Sequence, residues 1–275
     1  MSDNSAPYVQ QLSLDSVIGA LKTQSRVINA LLLREAMTRY GQHKIGFLWA
    51  LIEPIIMVLL FLAVLVLMRS GSPGGMPHVQ FMIAGIVPFM MFRNLISQMQ
   101  GALSGSRSML GFPQVTTFDV IIARGVLEVA VMMSVYVLML SVAHLLGYSI
   151  RVERPLEVLA VCGLFSMTGI GLGFFFASVS PIIPSVRQIS SVFMGRPLLL
   201  GSGLFYVADV LPTAIRDMLL YNPILHLMEL LRSAFFIEFE STYASWGYAV
   251  SWAVGSLALG LTTHQALKRR AIVGL

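Results

Sequence analysis

Residues 45 to 68 read IGFLWALIEPIIMVLLFLAVLVLM, a run whose only ionisable side chain is Glu53. A hydrocarbon core about 30 Å thick is crossed by about 20 residues of helix, so this run is long enough to span a bilayer. Lys44 enters it, and Glu53-Pro54 interrupts its first half. Comparable runs follow. Residues 79–100 carry Pro88 and Arg93, and residues 118–146 start polar with Asp119, Arg124 and Glu128. Residues 156–179 place Gly169, Gly171 and Gly173 before Phe174, Phe175 and Phe176. Small residues at that spacing let helix backbones approach closely in lipid. A run over 186–208 is broken by Arg196-Pro197, and one over 243–267 opens with Tyr243, Trp246 and Tyr248. The expected fold is an all-α membrane protein with six transmembrane helices. The short alternating segments of a membrane β-barrel are absent from the sequence.

Composition agrees with a bilayer environment. Of 275 residues, 56% are hydrophobic and 11% charged, with mean hydropathy +0.80, whereas a soluble domain has roughly a quarter of its residues charged. Net charge is +5, but in a membrane protein the placement of Lys and Arg sets orientation. The basic excess therefore speaks of topology, and no nucleic-acid partner is expected. The single cysteine, Cys162, sits in an apolar run, which excludes an intrachain disulfide or a Cys cluster and fits packing. The first forty residues lack the apolar core and cleavage site of a secretory signal, so the N-terminus is expected to be retained and cytoplasmic.

The segments between the spans carry their own signals. Residues 1–24 read as a flexible cytoplasmic lead. Residues 25–40 read as an amphipathic interface helix, with Ala30, Leu33, Met37 and Tyr40 on one face and Arg34, Glu35, Thr38 and Arg39 opposite. Such a helix is expected to lie in the membrane surface; a solvated face that only anchors is the plainer alternative. Glu35 and Arg39 stand i, i+4 in the favourable order. Gly71 to Gly75 form a turn signal, and residues 101–117 form a Gly- and Ser-rich loop containing Ser104, Arg107, Phe112 and Pro113.

Within 211–236, Asn222 is an N-cap with Pro223 at the first helical position. Ile224, Leu227, Leu231 and Phe235 form a stripe opposed by His226, Glu229 and Ser233. About fourteen residues reach only about 21 Å, so the region is expected to be re-entrant, as short periplasmic helices before the last span. Lys22, Arg26, Arg34, Arg39, Lys44, Arg107, Arg187 and Lys268 to Arg270 then fall on one side. The positive-inside rule makes that side the cytoplasm, with both termini and a 268–275 tail there.

Ionisable groups inside lipid are costly unless paired or wetted, which singles out Glu53, Arg93, Arg124, Glu128 and Arg196. Arg124 and Glu128, one turn apart, could neutralise each other as a structural salt bridge; a transport role is the alternative. Glu53 and Arg196 each precede a proline, where a helix can kink. That leaves plain bending and a part in conformational change or gating both open. Phe89, Phe92, Phe174, Phe175, Phe176, Phe205 and Tyr206 could offer stacking surfaces to a sugar polymer, although packing and interfacial belts are the commoner role of such clusters. The five histidines are scattered, with no metal-binding spacing. No GxSxG occurs. No GxxxxGK followed by Ser or Thr occurs either, so this chain does not itself cradle ATP.

Leu33-Arg34-Glu35, Thr38 to Gly41, Gly46 to Trp49 and Glu53-Pro54 resemble the N-terminal signature of ABC type-2 export permeases for cell-surface polysaccharide. Phe112 to Val115, Ala123-Arg124 with Leu127-Glu128, and Asn222-Pro223 with His226, Glu229 and Arg232 resemble the capsule, KpsM-like branch. The resemblance covers essentially the whole chain. It implies a homodimer in the bacterial inner membrane that exports lipid-linked capsular polysaccharide. ATP and Mg are held by a separate cytoplasmic ABC ATPase subunit, and no cofactor is bound by this chain. Periplasmic and outer-membrane export proteins are the further implied partners.

The resemblance further implies that Arg34, Glu35 and Arg39 of the interface helix, with Ser104, Arg107, Phe112 and Pro113 of the loop, couple to that ATPase. Glu53, Arg93, Arg124, Glu128, Arg196, Phe205 and Tyr206 are candidates for the translocation path or its gating. Two rival functions stay in view. An ion-coupled secondary transporter would show an internal repeat with paired broken helices. A membrane-embedded glycosyl or lipid transferase would show converging carboxylates or histidines.

Overall fold

The computed structural model describes residues 14–40, 46–67 and 75–274, and every regular element among them is a helix. The elements are α1 (Leu14–Tyr40), α2 (Gly46–Leu67), α3 (His78–Gln100), α4 (Ala102–Gly105), α5 (Thr117–Leu145), α6 (Pro155–Val179), α7 (Ser185–Phe193), α8 (Arg196–Gly201), α9 (Thr213–Leu219), α10 (Pro223–Phe235) and α11 (Trp246–Val273). Of these, α3, α5 and α6 are long and apolar enough to cross a membrane.

Helix α3 is the centre of the bundle. The apolar window of α3 is 83% buried against 39% for α5, so α3 faces protein while α5 keeps an outer face. It packs against α2, α5, α6 and α10. Phe81, Phe89, Phe92 and four methionines, Met82, Met90, Met91 and Met99, have almost no exposed surface.

The glycine row of α6 sets the closest helix approach. Gly171 faces α11, where a Cβ would stand 2.3 Å from the Ser256 carbonyl carbon, and a Cβ on Gly260 would stand 2.0 Å from the Gly171 oxygen. Gly169 and Gly173 turn instead to α3, meeting Leu95 and Met99. Three alternating small residues thus serve two neighbours at once, which is how helices without a hydrophobic driving force gain contact in lipid.

Local signals fix the ends. Thr116 and Asp119 close a reciprocal capping box at the start of α5, satisfying two amides that the helix leaves unpaired. At its other end Gly147 takes φ +91, and Gly147 and Tyr148 return their N–H groups to His144 and Ala143. This is a Schellman ending, which a residue with a Cβ adopts only under strain.

Two expectations need correction, the start of α1 and the 186–208 interval. Helix α1 begins at Leu14, not Ser25, so the lead is helical from there; residues 1–13 lie outside the described residues, as do 41–45 and the turn at 68–74. The interval 186–208 is not one interrupted helix. Backbone at Gly195, with ψ −121, starts a new short helix carrying Pro197 in its first turn, and nine-residue α7 stops at Phe193. Proline fits a first turn, where no N–H is needed, better than a helix interior. Helix α10 is buried on both faces, His226, Glu229 and Arg232 included, so its polar side meets protein. The 268–275 tail continues α11 as helix through Arg270 to Val273.

A candidate coupling and translocation site

Helix α1 lies along the first turns of α5 and is tied to it by charge. Arg39 Nη1 stands 2.5 Å from Glu128 Oε2, and Arg124 Nε stands 2.9 Å from Glu35 Oε1. Gln24 adds an amide hydrogen bond to Asp119, 3.2 Å. The two within-helix pairings read from the sequence, Glu35 with Arg39 and Arg124 with Glu128, are therefore replaced by two crossed pairs between helices. Both spacings are i, i+4, so each helix presents a like-spaced acid and base on one face, and antisymmetric order lets them exchange partners. The apolar stripe of α1 points the other way: Leu33 is 63% and Met37 67% exposed.

The loop after α3 meets the same place. Ser104, Arg107, Phe112 and Pro113 are all exposed, and Phe112 keeps 57% of its surface. With Val27, Leu31, Arg34 and Val115, the last two of those loop residues line a groove of about 510 Å³ between α1 and the loop. The guanidinium of Arg124 lies over Gly105, where a Cβ would stand 2.5 Å from Nη2. It also donates to the Gln98 carbonyl at 3.5 Å.

A second cluster sits on α3. Arg93 Nη2 is 3.1 Å from Glu53 Oε1, so the isolated carboxylate of α2 has a partner. Arg93, Asn94, Ser97 and Gln100 line one face of a groove of about 310 Å³ whose other wall is Ser190, Ser191 and Met194 of α7 and its end. Gln100 is held from two sides, donating to Ser180 Oγ at the end of α6 (2.6 Å) and accepting from Ser190 Oγ of the α7 wall (2.9 Å). Sequence reading passed over Asn94, Ser97, Gln100, Ser190 and Ser191. Their signal was a polar stripe at helical spacing inside an apolar run, which uncharged side chains do not announce.

The remaining candidates do not join these clusters. Arg196 is exposed at the start of α8. Phe205 packs on Phe61 with ring centroids 4.3 Å apart, and the Tyr206 hydroxyl donates to the Leu200 carbonyl, 2.6 Å. Phe89, Phe92 and Phe174 are buried in the bundle, so they are packing residues and offer no stacking surface.

The residues of α10 form a polar clamp. Asn222 caps the helix through the Ile224 amide and donates to Gly201 O. His226 bonds Leu220 O through Nε2 (2.8 Å) and accepts from the Ser245 amide at Nδ1 (3.1 Å), which fixes the neutral tautomer. Glu229 accepts from the Ala208 amide and the Ser241 hydroxyl. Arg232 donates to the Tyr206 and Leu204 carbonyls and sits 3.8 Å over the Phe81 ring. Burial pushes the Glu229 carboxyl up despite the Ser241 hydroxyl and the Arg232 guanidinium, and burial pulls Arg232 down to about 10 despite Glu229. Among the described residues, no group of His, Cys, Asp and Glu is placed to hold a metal ion.

Residues 26–236 match the signature of the ABC-2 type transporters. The chain is similar to the polysialic acid transport protein KpsM of Escherichia coli, at 26% identity over 244 residues, 89% of this chain and 94% of that protein. It is 31% identical over 245 residues to the capsule polysaccharide export inner-membrane protein BexB of Haemophilus influenzae, 88% of this chain and 91% of that one. CtrC of Neisseria meningitidis serogroup B, a capsule polysaccharide export inner-membrane protein, is 31% identical over 247 residues, with the same coverage.

Proposed function

The chain belongs to the ABC-2 type transporter family, and from that premise we propose that it is the inner-membrane permease subunit of an ATP-driven exporter of capsular polysaccharide. The observation that carries the reading is the end-to-end match to capsule export proteins, 91% to 94% of their length. The lack of a phosphate-binding loop in this sequence supports transport powered from outside the chain. ATP and Mg belong on a cytoplasmic ATPase partner, with periplasmic and outer-membrane export proteins beyond. Neither the secondary transporter nor the membrane transferase is favoured by the relatives.

In this reading α2, α3, α5, α6, the α7–α8 pair and α11 make six crossings, both termini are cytoplasmic, and α9 and α10 enter and leave from the periplasmic side. Two copies enclose the polymer path. The groove of Asn94, Ser97, Gln100, Ser190 and Ser191 supports it, because hydroxyl and amide groups can exchange hydrogen bonds with sugar hydroxyls without binding any one tightly. The groove between α1 and the loop of Phe112 and Pro113 is the natural seat for the ATPase. Deleting the chain should leave polymer inside the cell and none on its surface. Purified chain should hydrolyse no ATP until the ATPase subunit is added. A deletion strain that still displays capsule would refute the reading.

A further inference from the structure

Resting on that reading, we propose that Arg124 is a positioning residue that joins α1, the first turns of α5 and the loop after α3 into one rigid coupling unit, which moves as a body when the loop is pushed. The guanidinium touches all three elements. It pairs with Glu35 of α1 at 2.9 Å, reaches the Gln98 carbonyl at the end of α3, and fills the space that Gly101 and Gly105 leave beside the loop. A side chain at Gly105 would displace it, so the loop's small residues and the arginine fit one another.

One pair alone would be a hinge. The second rung, Arg39 with Glu128, lies four residues further along both helices, about 6 Å away at 1.5 Å per residue. Two attachments one turn apart restrain rotation of α1 against α5. The Gln24–Asp119 bond adds a third, and Asp119 is itself the N3 member of the capping box that opens α5. Glu128 has no exposed side-chain surface, so opening that rung would leave a bare carboxylate in a dry place, which is strongly unfavourable. The rungs therefore stay closed while the unit moves. The groove of Val27, Arg34, Phe112 and Pro113 is then a fixed socket, and a push on the loop is delivered to α5 along with α1.

The test uses the complete transporter with its ATPase, reading polymer exported per ATP hydrolysed. Arg124→Glu should lower that ratio by about tenfold, within the range usual for coupling between sites, and Glu35→Arg combined with Arg124→Glu should recover most of it. Two variants that insert normally but give no recovery would overturn the proposal. The second arm avoids charge altogether: Arg39→Cys with Glu128→Cys, in a Cys162→Ala background, bridged by a short bifunctional thiol reagent. Bridging should raise export above the unbridged protein. Export abolished by the bridge would mean that α1 must leave α5 in each cycle. Wild-type transporter that exports no polymer would count against the proposed function instead.

Discussion

Glu128 is fully buried while Arg39 keeps 28% of its side-chain surface, and that asymmetry makes the two halves of the pair unequal under mutation. Removing Arg39 strands a buried charge, at about 3–5 kcal/mol, whereas losing Glu128 leaves an arginine that water can reach. Arg39→Ala is therefore expected to lower the unfolding temperature in detergent well beyond Glu128→Gln, and equal shifts would argue that the carboxylate is hydrated. The Glu53–Arg93 pair is different. Both partners keep part of their side-chain surface, and Arg93 lines the groove between α3 and α7, so neither charge is sealed in as Glu128 is. Its loss should appear in transport: Glu53→Gln and Glu53→Leu should both assemble, with polymer export reduced more in the Leu variant. Unchanged export with Leu would remove Glu53 from the mechanism. Hydropathy revealed that these charges needed partners, since an unpaired charge in lipid is costly. It did not reveal which ones, because Glu35 and Arg124 are equally well placed for a neighbour one turn along their own helix.

At the scale of helices, the α6–α11 crossing offers the sharpest test. Gly171→Ala must push backbone from backbone, since its Cβ would meet the Ser256 main chain at 2.3 Å, while Gly163→Ala meets nothing within 4 Å. The first should cost about 1–3 kcal/mol or more as overpacking. The second should be neutral or slightly stabilising, because alanine is the better helix former. Thermal unfolding of the two variants decides it, and equal behaviour would deny the close approach. In the α10 clamp, burial already disfavours the charged form of Glu229. Glu229→Gln, which keeps an acceptor for the Ala208 amide, should be tolerated. Glu229→Leu orphans the Ala208 amide and the Ser241 hydroxyl and removes the acid beside Arg232, and protease digestion near residues 236–245 should expose the loosened clamp; resistance equal to wild type would mean that the bonds are dispensable. Long uniform helices were legible because their apolar runs exceed any break. The α7–α8 break was legible at Arg196-Pro197, but its form was not, since summed hydropathy records apolar content and is blind to one backbone angle at Gly195.

For the whole molecule, the order of apolar runs and the placement of Lys and Arg were enough to anticipate an all-helical membrane chain, and the quoted motifs anticipated its family. What they could not supply was the third dimension: α3 at the centre, the amide and hydroxyl groove on α3 and α7, and the inward-facing polar side of α10. Those depend on which faces meet, and an uncharged polar residue in an apolar run reads the same whether it faces lipid, a neighbour or a path. The proposed re-entry of α9 and α10 has a direct check. Cysteines at Asp209 and Glu240, both exposed, should react with a membrane-impermeant maleimide from the same, periplasmic, side. Reaction from opposite sides would make the segment a crossing. The outward apolar stripe of α1 carries one more consequence, which concerns time. Arg39 is separated from Glu128 by 89 residues, so at ribosomal speeds α1 waits on the order of ten seconds before α5 exists to receive it. Through that interval its own charges have no docking partner. Leu33 and Met37, turned away from the finished bundle, can hold the newborn helix against the bilayer until its seat is synthesised.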